Sequence, residues 1–121
     1  MQEIKSYKDL VVWQKSHQLV NRIFDLVEEF PNTRGSEIVI SQILRSCSSI
    51  PANLAEGYGG RKGNEFISYL HQARRSIPET DYWLYLSSQR KYIDQNEYEK
   101  ISSEYSEILK MLNSMISKLK R

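Results

Sequence analysis

DQNEYEKISSEYSEILKMLNSMISKL, residues 94–119, is the stretch that decides the fold class. Its residues Tyr98, Ile101, Tyr105, Ile108, Leu112, Met115 and Leu119 recur at alternating spacings of three and four, with polar residues elsewhere. A helix puts that spacing on one face, and a strand does not. Asp94 supplies an N-cap, and Glu97 three residues on gives the pattern of a capping box.

Three more segments of the same kind precede it. Residues 64–91 carry Phe66, Leu70, Ala73, Ile77, Thr80 and Leu84 in phase, with Pro78 in the interior. Residues 36–58 carry Ile40, Ile43, Cys47, Ile50 and Leu54, with Ser36 as N-cap. Pro51 inside this segment removes one helical hydrogen bond and predicts a kink rather than a stop, because the period continues to Tyr58. Gly57, Gly59, Gly60 and Gly63 then mark a helix end and a short loop.

Residues 7–30 hold two adjacent stripes. One is Leu10, Trp13, His17, Val20, Phe24 and Val27; the other is Val12, Leu19, Ile23, Leu26 and Phe30. So wide an apolar arc predicts more than one neighbour for this helix. Phe30-Pro31 ends it, since the residue before proline avoids the α region. Short connections make neighbouring helices antiparallel, so the expectation is one all-α, up-down four-helix bundle spanning residues 1–121.

Composition narrows the function. The chain has 121 residues, one cysteine and a net charge of +2. Cys47 alone excludes an intrachain disulfide and a cysteine-rich metal site. No apolar run of signal-peptide or membrane-span length occurs, which predicts a cytoplasmic chain. The positive excess falls between residues 36 and 91. There Arg45, Arg61, Lys62, Arg74, Arg75, Arg90 and Lys91 face five acids. These seven are the candidate nucleic-acid-binding residues, although lysines and arginines also solvate ordinary helix faces.

Catalytic patterns are missing. A di-iron bundle needs Glu-x-x-His pairs, and the residues three before His17 and His71 are Gln14 and Ser68. His17 reads as a core histidine and Cys47 as a small buried apolar residue. The run 57–63 lacks P-loop spacing and follows a helix rather than a strand. The expectation is no enzyme, no metal, no cofactor and no small-molecule substrate. Tyr82, Trp83 and Tyr85 cannot share one face, because adjacent positions diverge by about 100°. Some of them belong to a second interface or the surface.

The stretch SIPANLAEGYGGR, residues 49–61, resembles the signature of the four helix bundle protein family, also called 23S rRNA intervening-sequence proteins. YKDLVVW at 7–13, Phe30-Pro31, Glu65-Phe66-Ile67 and Leu70-His71-Gln72-Ala73 extend the resemblance over roughly residues 7–119. It implies a homopentameric ring of bundles. It also implies kinship to the accessory variability determinant of diversity-generating retroelements, which binds RNA or DNA and partners a reverse transcriptase. Pro51, Asn53, Glu56 and Gly57 are its structural motif. Asn53 and Glu56 are expected to be partly buried near the kink, or Glu56 to pair with an arginine of the third helix. Where relatives have a small Gly-Ser pair, this chain has Arg75-Ser76, which puts close helix approach there in question. The two functional expectations are an oligomeric nucleic-acid-binding accessory protein and a module that docks a protein partner.

Overall fold

The structure, a computed structural model, describes residues 3–59 and 63–120. Among these it contains four α-helices: α1 Val11–Val27, α2 Arg34–Tyr58, α3 Asn64–Gln89 and α4 Gln95–Leu119. No strand occurs among the described residues. Each helix packs on its sequence neighbours, and α1 closes the ring against α4. Cross-helix partners give the directions. Ser46 meets Thr80 and Ser49 meets Ser76, Asp81 meets Tyr98 and Arg74 meets Asn113, and Arg22 meets Glu97. The first two pairings are antiparallel, and so is α1 on α4, where Val11 and Val12 lie beside Met111 and Met115 at the other end.

The helix boundaries correct the sequence reading at several points. Tyr7–Asp9 forms a separate 3-10 turn, closed by a reciprocal capping box between Ser6 and Asp9. Thr33, not Ser36, caps α2, its hydroxyl accepting from the Ser36 N–H at 3.2 Å. Asp94 caps α4 through the Asn96 N–H. Glu97 completes no capping box; it turns instead to Arg22, which also holds Glu104, each at 2.6 Å. α3 stops at Gln89 because Lys91 turns left-handed, at φ 65°. The Lys91 and Tyr92 N–H groups then donate to the Ser88 and Ser87 carbonyls, a helix ending usually built on glycine.

The core is a column of aliphatic residues from all four helices, with Ile23, Ile43, Ile50, Leu54, Leu70, Leu84, Ile101, Ile108 and Leu112 fully enclosed. In α1 the second stripe supplies most of it, through Val12, Leu19 and Ile23, joined by Val27 from the first. The first stripe flanks it: Phe24 is exposed and Trp13 and Val20 are half-buried. His17 is therefore not a core histidine. It is exposed, stacked on Trp13 at 4.7 Å and bonded to Asn21. In α4 burial passes from Leu112 to Ile116 rather than to Met115, the drift expected when a helix of 3.6 residues per turn carries a 3.5-residue pattern.

α2 and α3 are the most intimate pair. Their seam is made of small residues. The Thr80 hydroxyl lies 2.9 Å from Ser46 Oγ and 2.8 Å from the Ser76 carbonyl, and the Ser49 hydroxyl lies 2.6 Å from Ser76 Oγ. Gly57 sits so close to α3 that a Cβ there would meet Tyr69 Cβ at 2.6 Å. Close approach thus survives Arg75, which is exposed, because Ser76 and not Arg75 faces α2. α2 runs through Pro51 without ending, and the half-buried Asn53 donates its amide to the Ser49 carbonyl at 2.8 Å. Glu56, expected to be partly buried, is exposed.

Candidate nucleic-acid interface

The five basic candidates among the described residues do not form one surface. Arg45 lies on the α2–α3 flank, bonded to Gln42 and paired with Glu79, which neutralises it. Arg90 and Lys91 sit at the far end of α3, about 22 Å beyond Arg75 at 1.5 Å per residue. Arg61 and Lys62 lie outside the described residues, as does Gly60. Arg74 and Arg75 remain, and the structure gives them company.

They stand at a groove of about 490 Å³ between α3 and α4. Its α3 wall is His71, Arg74, Arg75, Ile77, Pro78 and Asp81. Its α4 wall is Ser102, Tyr105, Ser106 and Leu109. The floor is therefore apolar and one rim is cationic. Arg74 donates to Asn113 Oδ1 across the groove and lies 2.8 Å from His71 Nδ1. Neither Arg74 nor Arg75 has an ion-pair partner among the described residues. Desolvation, and then the charges of Arg74, Lys120 and Arg75, hold the His71 imidazolium below its ordinary pKa. Lys120 thus joins the field from the end of α4.

Among the described residues Asp81 is the one acid lining the groove, and the Tyr98 hydroxyl donates to it at 3.0 Å. Burial first, and then this bond to Asp81, raises the Tyr98 pKa. The Tyr98 ring lies 5.8 Å from that of Tyr85, so aromatic side chains continue the α3 wall past Asp81. Tyr82, one turn from both Pro78 and Tyr85, is 54% exposed.

Sequence reasoning missed His71, Ser102 and Ser106 as groove residues; it reads Lys120, in the basic tail, as a complement to the last helix's dipole, with a phosphate contact as the less favoured alternative. One signal was there: His71 precedes Arg74 by three and Arg75 by four, the spacings that share a helix face. The α4 wall carried no such signal, because Ser102 and Ser106 look like solvent-face residues until the α3–α4 register is known.

Elsewhere little chemistry is available. No group of three or more His, Cys, Asp or Glu side chains is placed to hold a metal among the described residues. No described helix is long and apolar enough to cross a membrane. Cys47 is fully buried, and desolvation pushes its thiol from the ordinary 9.0 up to about 12. A thiol reagent at pH 8 should leave the native protein unlabelled and react on unfolding. Because the folded pKa is the higher one, stability should also fall as pH rises from about 9 towards 12. Labelling of the native protein at the rate of a free thiol would contradict the burial.

Known proteins bear on this arrangement. The structure is similar to that of a protein of unknown function from the S23 ribosomal protein family of Bacteroides thetaiotaomicron. The TM-score is 0.80 and the identity 37%, over 88% of this chain and 98% of that one. No curated protein matches the sequence. The model of the 23S rRNA-intervening sequence proteins matches residues 8–114. That span holds all four helices except the last turns of α4, so the chain belongs to the 23S rRNA-intervening sequence protein family.

Proposed function

We propose that this chain is a non-catalytic, cytoplasmic accessory protein that binds RNA or DNA as a homo-oligomer. The observation that carries the reading is the cationic rim of the α3–α4 groove, where Arg74 and Arg75 stand without an ion-pair partner among the described residues. Cations without acidic partners are what a phosphate backbone recruits. The family's name ties its members to 23S rRNA intervening sequences, which supports a nucleic-acid setting. Oligomerisation is supported by the apolar side chains left outside the bundle, Val11 at 54%, Phe24 at 45% and Ile38 at 55% exposure. Repetition of a small basic rim around a ring makes binding multivalent.

The test is an RNA-binding titration at several salt concentrations. Affinity should fall steadily as salt rises, because phosphate contacts release counterions. Binding that ignores salt, or none at low salt, would overturn the reading. The same exposed apolar residues favour a second reading, a module that docks a protein partner. Recovery of one protein partner and no nucleic acid from cells would select it.

A further inference from the structure

The α3–α4 groove combines three features that a generic basic patch lacks. Its rim is cationic, its floor is apolar, and exposed tyrosines extend one wall. Along α3 the path from His71 through Arg74 or Arg75, Pro78, and Asp81 or Tyr82 to Tyr85 steps by three and four, so these residues form one continuous stripe. From Arg74 to Tyr85 that stripe is about 16 Å long at 1.5 Å per residue. Charge lies at one end and aromatic surface at the other.

Resting on the nucleic-acid reading above, we infer that this groove takes a single strand. A backbone phosphate sits on Arg74 and Arg75, and bases lie in the groove and against Tyr82 and Tyr85. The chemistry separates a single strand from a duplex. A duplex offers its phosphates but keeps its bases stacked inside, so it gains from the arginines and nothing from the apolar floor or the tyrosines. A single strand offers both, and a basic track with aromatic platforms is the arrangement that binds it. The groove also lies within the size range of sites that enclose small organic groups. Ser102 and Ser106 on the α4 wall bring hydroxyls that donate to a base edge or a phosphate. Asp81 does not oppose the phosphate end, because it stands two turns further along α3 with the Tyr98 hydroxyl bonded to it.

The experiment uses the full chain and fluorescein-labelled oligomers of about ten nucleotides, within the site sizes of single-strand binders. They are presented as single-stranded RNA, single-stranded DNA and the matching duplexes. Tight binding of the single strands and weak binding of the duplexes is expected. Arg74→Ala with Arg75→Ala should weaken binding at least ten-fold. It should also flatten the salt dependence by about 0.7 in log K against log salt, the share of one phosphate on a single strand. Tyr82→Ala with Tyr85→Ala should weaken single-strand binding about five-fold or more with the salt slope unchanged. Tyr82→Phe should bind as the parent does, since the ring face is kept; this also controls for folding. If duplexes bind as tightly as single strands and the tyrosine pair is without effect, the single-strand site is wrong while nucleic-acid binding stands. If no oligomer binds at low salt, both fall.

Discussion

Tyr105→Ala should lower the unfolding free energy by about 3–5 kcal/mol, while Tyr105→Phe should leave it unchanged or raise it. The ring lies on the buried stripe of α4 and is 1% exposed. Its removal opens a cavity walled by aliphatic side chains, and the cost of such a cavity adds to the lost transfer energy. The hydroxyl is a separate matter. It is fully buried, and no group among the described residues hydrogen-bonds to it. Burial, and then the nearby Cys47 and Glu104, pushes the phenol pKa up, so the group stays neutral across the accessible pH range. A buried hydroxyl without a partner loses about 1–3 kcal/mol of hydration, and phenylalanine removes that loss while keeping the ring. Urea unfolding of both variants, with equal m-values, measures the difference. A drop of more than about 1 kcal/mol for Tyr105→Phe would mean that the hydroxyl is satisfied.

Gly57→Leu should be the more disruptive of two changes at the α2–α3 crossing, and Gly57→Ala the more informative. On propensity alone alanine improves a helix by about 1 kcal/mol over glycine. Here its Cβ would lie 2.6 Å from Tyr69 Cβ and 3.1 Å from a Phe66 ring carbon. Tyr69 Cβ is fixed to the α3 backbone, so the helices themselves must part. Overpacking of this kind costs about 1–3 kcal/mol for one methyl, and leucine adds three more carbons to the same gap. Gly57→Ala should therefore be destabilising, against the sign of propensity. Thermal melts compared with an alanine placed at the exposed Gly35 would show it. Equal or greater stability for Gly57→Ala would refute the close crossing.

The four helices and their order were legible because α4 and α3 each carry a single unambiguous stripe. The phase of α1 was not. Two stripes about 100° apart fit its sequence, and the choice between them depends on which face α2 and α4 leave open. The structure buries Val12, Leu19 and Ile23 of one stripe and leaves His17 and Phe24 of the other exposed. The α2 start shifted for a local reason: Thr33 and Ser36 are both competent caps, and the earlier one saves a turn of helix. Of the site, Arg74 and Arg75 were legible as a basic pair. The loss of Arg45 to Glu79 was not, because those residues are 34 apart in sequence and meet only through the α2–α3 register. The groove was invisible for the same reason, since half of it belongs to another helix.

The small-residue seam between α2 and α3 also sets how the molecule comes apart. These two helices share close backbone approach, cross-helix hydroxyl bonds and the connection between them. By contrast α1 has 17 residues, leaves Val11 and Phe24 in solvent and is tied to α4 through the partly exposed Arg22. Local opening draws on the least buried elements first. The α2–α3 hairpin is then the slow-exchanging unit of the bundle and α1 its detachable stave. The cationic groove borders that durable unit, so α3, which carries its charged and aromatic stripe, keeps its geometry when α1 loosens.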